Sequence, residues 1–147
     1  MRRGLTAGAL ALALLAGCGS DGRLSAKDYR AKAAGICAHT KRETDALGRP
    51  KGTSDFKVFL DRGLKVTDRN LRRFQALKPP KDLQSAHDAI VAAERTGQRQ
   101  LRAIADRLHG DSRDVAFLRQ VQPELAKISS STQARYRAAG LTGCANA

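Results

Sequence analysis

Apolar and small side chains recur at three- and four-residue steps in four separate stretches, and that spacing predicts four amphipathic helices. The first opens at Ser25 and carries Tyr29, Ala33, Ile36, Cys37, Thr40, Thr44 and Leu47 on one stripe. Ser25 and Asp28 form a capping-box pattern at its start, and Gly48 with Pro50 ends it. The second starts near Thr53 or Ser54 and runs through Phe56, Phe59, Leu60, Leu64, Thr67, Leu71, Phe74 and Leu77 to Pro79-Pro80. Ser54 reads as its cap. The third covers about Lys81 to Leu108, with Leu83, Ile90, Gly97, Leu101, Ile104 and Leu108 on one side and Gly110 as its stop. The fourth follows Asp111 or Ser112 and aligns Val115, Leu118, Val121, Leu125, Ile128, Thr132, Tyr136 and Ala139, ending at Gly140.

Pro123 falls inside the fourth pattern. A proline in a helix interior removes a hydrogen bond and crowds the preceding turn, so a kink or break is expected near Gln122. No alternating run of β-branched or aromatic residues exists, and aromatics are only 4% of the chain, so no strand is expected. Four narrow apolar stripes joined by short connections are buried most simply in an all-α, antiparallel up-down-up-down four-helix bundle. That topology returns the end of the fourth helix to the start of the first.

The chain's beginning departs from this pattern. Arg2 and Arg3 precede an uncharged, Leu- and Ala-rich run from Gly4 to Gly17. A basic start, an apolar run and small residues before a cut site are the order of an export signal. The run is shorter than the roughly 20 residues of a membrane span. Its end, Leu15-Ala16-Gly17-Cys18, resembles the bacterial lipobox. The resemblance implies cleavage before Cys18, acylation of Cys18, and anchoring at the extracytoplasmic face of the cell membrane. The expected organisation is a signal peptide at 1–17, a polar tether at 18–24 and a helical domain at 25–147. Seven tether residues reach at most ~25 Å, which keeps the domain close to the bilayer.

Export changes the meaning of the three cysteines. With Cys18 carrying lipid, Cys37 and Cys144 remain, one near each end of the domain. An oxidising compartment permits a disulfide between them, and the bundle topology would bring them together. The alternative is two unrelated buried thiols.

Charge adds a candidate surface. The chain has 27 Lys and Arg against 14 Asp and Glu, and losing Arg2 and Arg3 with the leader leaves the excess at 25 against 14. Inside a cell that excess would suggest nucleic acid; export makes nucleic acid an unexpected partner. Arg62, Lys65, Arg69, Arg72 and Arg73 line one side of the second helix, and Arg95, Arg99 and Arg102 stack on the third. These residues form a possible face for anionic lipid headgroups or acidic envelope polymers. The bland reading is a solvated helix surface. Several carboxylates have basic neighbours four residues away, as Asp61 with Lys65 and Asp68 with Arg72 do, which suits solvated pairs.

Motifs that would carry chemistry fall away in context. Gly17-Cys18-Gly19-Ser20-Asp21-Gly22 has the spacing of a dinucleotide loop but straddles the cleavage site and follows no strand. Ser54-Asp55-Phe56-Lys57 matches S-x-x-K without its companion motifs. His39 and Glu43 share a helix face but supply only two ligands, and His87 and Glu94 lie two turns apart. No Glu-x-x-His or C-x-x-C-H pattern occurs. No catalytic residue, metal site or cofactor is assigned.

The Tyr29…Ile36-Cys37 helix, Leu77-Lys78-Pro79-Pro80 and the terminal Gly140-Leu141-Thr142-Gly143-Cys144 follow the lipobox. Together they resemble the small, alanine-rich helical lipoproteins of high-GC Gram-positive bacteria. The leading expectation is a non-enzymatic, lipid-anchored module with an interaction or structural role, its protein partner unspecified. A second is a ligand-binding or sensing module with a pocket near Gly97 or Pro123. An enzyme built around His87 and Glu94 is the third. A large apolar pocket would favour the second, and convergence of histidines on a carboxylate would favour the third.

Overall fold

The computed structural model describes residues 22–146; the leader, the lipobox ending at Cys18 and tether residues 18–21 lie outside the described residues. The order is α1 (Ala26–Asp45), α2 (Thr53–Gln75), a 3-10 turn (Lys81–Leu83), α3 (Gln84–Arg107), α4 (Asp114–Ala138) and a short α5 (Thr142–Ala145). The four long helices form an antiparallel bundle, and no strand occurs among the described residues.

Each helix end has a local cause. Ser25 Oγ accepts from the Asp28 N–H at 3.1 Å and donates to Asp28 Oδ2 at 2.7 Å, fixing the first turn of α1. The start of α2 differs from expectation: Gly52 is its N-cap, without a side-chain cap, and Ser54 lies inside the first turn. The prolines also act later than expected. Pro80 caps the 3-10 turn, and regular α3 begins only at Gln84. At the end of α4, Gly140 takes φ +71°, so the chain reverses and the Leu141 N–H bonds the Tyr136 carbonyl at 2.8 Å. The α3–α4 connection is held by Asp114, whose buried carboxylate accepts from the N–H groups of His109 and Gly110. Those backbone donors, His109 first, hold its acid below the usual carboxylate range.

Pro123 does not end α4, which continues from Asp114 to Ala138 through it. The carbonyl it leaves without a donor is that of Arg119. Arg119 and Pro123 are both exposed, so water can take the place of the missing N–H.

Packing follows chain order: α1 on α2, α2 on α3, α3 on α4. Closure comes from α5, which packs against both α4 and α1, whereas α1 and α4 make little direct contact. The residues after Gly140 therefore form a core element, burying Leu141, Cys144 and Ala145. These residues join Tyr29, Ala33, Cys37, Phe74, Ile90, Tyr136 and Ala139 in one apolar cluster. Cys37 and Cys144 are disulfide-bonded, with Cα atoms 5.1 Å apart. The tether enters at this same end. The Leu24 N–H donates to the Lys78 carbonyl at 2.8 Å, and Arg23 bonds the Pro79 carbonyl and the Gln84 side chain.

Candidate ligand cleft

Because α5 closes only one end of the α1–α4 seam, a cleft of about 550 Å³ remains along it. Ile36, Leu71, Phe74, Leu101, Leu125 and Ile128 supply apolar wall, while Thr40, Thr44, Lys41 and Asp45 of α1 and Ser129, Thr132 and Gln133 of α4 supply polar groups. The disulfide residues Cys37 and Cys144 contribute beside the sealed end. This size and mixture match a small-molecule site.

Two carboxyls lie within the lining, Asp45, which is paired with Lys41, and Glu94. Glu94 of α3 accepts a hydrogen bond from the Tyr136 hydroxyl of α4 at 2.9 Å. Burial pushes the Glu94 acid up, and the bond from Tyr136 opposes that rise in part. The phenol of Tyr136 is itself raised, first by burial and then by the neighbouring carboxylate. Asn70 faces the same cleft and ties α2 to α1: its amide donates to Glu43 Oε2 at 2.7 Å and to the Val66 carbonyl at 3.0 Å. Arg69 completes that link to Glu43 at 3.0 Å. Glu43 is consequently held below its ordinary range, chiefly by Asn70 and then Arg69.

A second, more open groove of about 690 Å³ lies between α3 and α4, bordered by Ala89, Ala93, Gly97, Pro123, Lys127 and Arg135. Gly97 is not its source. A Cβ on Gly97 would stand 2.9 Å from Ile128 Cγ2, so the glycine permits close approach of the two helices. The main cleft instead opens on the α1–α4 seam. Its sequence signal was the hydroxyl residues Thr40, Thr44, Thr67 and Thr132 at core-facing stripe positions.

The histidines occupy three different places. His39 is half exposed and 3.1 Å from Glu43. His109 is exposed beside Asp114. His87 is buried, stacked on Phe74 with centroids 5.0 Å apart, and shares a 3.2 Å hydrogen bond with the Tyr29 hydroxyl. Burial lowers the His87 pKa and pushes Tyr29 up to about 12. His87 and Glu94 do not converge: one joins Tyr29 and Phe74, the other Tyr136. Among the described residues, no group of three or more His, Cys, Asp or Glu is arranged to hold a metal ion.

The basic face is partly neutralised. Asp68 pairs with Arg72 on its own helix and with Arg102 of α3 at 3.3 Å, so the two arginine clusters meet across the α2–α3 seam. Arg69 pairs with Glu43, Arg73 bonds Asn70, Arg95 bonds Gln75 and Arg99 bonds Thr96. Arg62 and Lys65 are exposed without such a partner among the described residues. Exposed pairs of this kind contribute about 0–1 kcal/mol each, so they organise the surface more than they hold the fold.

Among the described residues, no helix is long and apolar enough to cross a membrane. No protein-family model, curated protein or solved structure matches the chain.

Proposed function

We propose that this protein is a lipid-anchored, extracytoplasmic helical module that binds a small, largely apolar ligand in the α1–α4 cleft and performs no reaction on it. The observation carrying the reading is the cleft itself: about 550 Å³, mostly apolar, with convergent polar groups at Glu94, Tyr136 and Asn70. The lipobox-like Leu15 to Cys18 supports the anchor, and the attachment of Arg23 and Leu24 beside the α2–α3 turn sets which end of the bundle would face the bilayer. Four residues, 19–22, then separate the acylated Cys18 from the Arg23 side chain, a reach of at most ~18 Å.

A second reading keeps the basic face as a docking surface for anionic headgroups or acidic envelope polymers. Arg62 and Lys65, exposed and without protein partners, favour it. The two readings are compatible, since that face follows the α2–α3 seam and the cleft follows the α1–α4 seam.

The test uses the full chain in lipid nanodiscs, titrated with 4-phenylbutanol and followed by amide NMR. Saturable shifts are expected at Thr40, Thr44, Leu125 and Thr132, and Thr40→Phe, which fills the cleft, should abolish them. Scattered, non-saturating shifts in the wild type would overturn the ligand reading. The anchor is tested separately: Cys18→Ala should lose palmitate labelling and membrane association, and unchanged association would remove the lipid from the account.

A further inference from the structure

Resting on that ligand reading, we propose that the cleft selects a cationic amphiphile: an organic ammonium whose head sits against Glu94 and Tyr136, with its apolar body along Leu101, Leu125 and Ile128. Basic side chains outnumber acidic ones almost two to one, yet Glu94 forms no ion pair with Lys, Arg or His among the described residues. Its hydrogen-bond partner is the neutral hydroxyl of Tyr136, which serves one carboxylate oxygen at 2.9 Å. Lys41, also in the cleft lining, is paired with Asp45 at 2.9 Å.

A carboxylate in an apolar recess is poorly solvated, and a ligand cation restores what water supplied outside. A neutral ligand would displace water from Glu94 without replacing its charge. An anionic ligand would add repulsion. The Tyr136 ring favours the same choice, since ring faces attract ammonium groups within about 6 Å of their centroids. Of the rings in the lining, Tyr136 is the one tied to Glu94, through the 2.9 Å bond from its hydroxyl. Burial raises the Glu94 acid, which accords with a carboxyl short of a positive partner.

Three probes of nearly equal shape separate the possibilities: 4-phenylbutylamine, 4-phenylbutanol and 4-phenylbutanoate. Each is titrated by calorimetry into the full chain in nanodiscs at neutral pH, with empty nanodiscs as blank. The amine is expected to bind at least tenfold more tightly than the alcohol, with the carboxylate weakest. Glu94→Gln should bring amine and alcohol to similar affinity while leaving alcohol binding in place. Tyr136→Phe keeps the ring and the carboxylate and should retain the amine preference. Equal affinity of amine and alcohol in the wild type, or tighter carboxylate binding, would overturn the cation proposal and leave the ligand reading standing. Binding by none of the three would overturn both. The wild-type comparison decides the matter even if a variant fails to fold.

Discussion

The two ends of the α1–α4 seam contrast sharply. Where α5 bridges the helices, Tyr29 and Ile90 are fully buried, Phe74 is 2% exposed and the disulfide lies in the core. Along the open stretch, Leu125, Ile128 and Thr132 hold the same stripe positions on α4 yet remain half-buried. The helical periodicity is the same in both places. The difference is one turn of chain, Thr142–Ala145, which plugs one end and not the other. A four-helix bundle with a complete core would need α1 and α4 to touch along their length. Here the chain closes the ring through its own C-terminus and leaves a cleft.

If the plug makes the distinction, freeing it should have the largest effect. Cys144→Ser removes a cross-link across 107 residues, and a loop of that length is expected to contribute about 4 kcal/mol, measurable as a lowered urea midpoint. The same variant should expose the Tyr29 and Phe74 cluster and strengthen its proton–solvent exchange. An unchanged midpoint would mean that α5 holds its place by packing alone.

Truncations on each side of the boundary give the next largest contrast. Ile90→Ala empties the sealed end and should cost about 2–5 kcal/mol. Leu125→Ala, on the cleft wall, should cost about 1 kcal/mol, because its side chain is only partly withdrawn from water. Similar costs for the two in denaturant unfolding would contradict the division into a sealed end and an open seam.

The smallest effect is a pH dependence within the sealed end. Burial depresses the folded-state pKa of His87, whereas the unfolded chain binds that proton near pH 6.5. The unfolded state therefore takes up more protons as pH falls below that value, and stability declines toward pH 5. Glu94 acts in the opposite sense: its raised acid is favoured by folding when protonated, so its contribution is lost as pH rises through its folded pKa. Thermal unfolding at pH 7 and pH 5 should show a smaller acid loss in His87→Phe than in the wild type. An equal loss would assign the acid sensitivity elsewhere.

Much of the fold was legible because helix formation is local. The stripes, the Ser25 cap and the stops at Gly48, Gly110 and Gly140 depend on residues within a few positions of each other. Errors arose where the decisive neighbour was distant or the partner was water. Ser54 resembled a cap, but Gly52 takes the extended backbone that the N-cap position requires. Pro123 carried the expectation of a kink or a break, and α4 runs through it unbroken with the orphaned carbonyl at an exposed position. Gly97 does border the α3–α4 groove with Pro123, while its missing Cβ serves the close approach of Ile128. The Glu94–Tyr136 pair was not legible, although both residues stood in view, because a contact 42 positions apart in sequence leaves no local signature.

The sequence alone determined the helical content, the rough element boundaries, the basic excess and the expectation of an anchored N-terminus, since periodicity, turn chemistry and charge are properties of short windows. The tertiary structure decided where the stripes meet. It turned the C-terminal residues into a plug, left the α1–α4 seam open and set the Glu94 carboxyl against the Tyr136 hydroxyl. Those outcomes depend on which surfaces exclude water from each other, and only the folded chain specifies that.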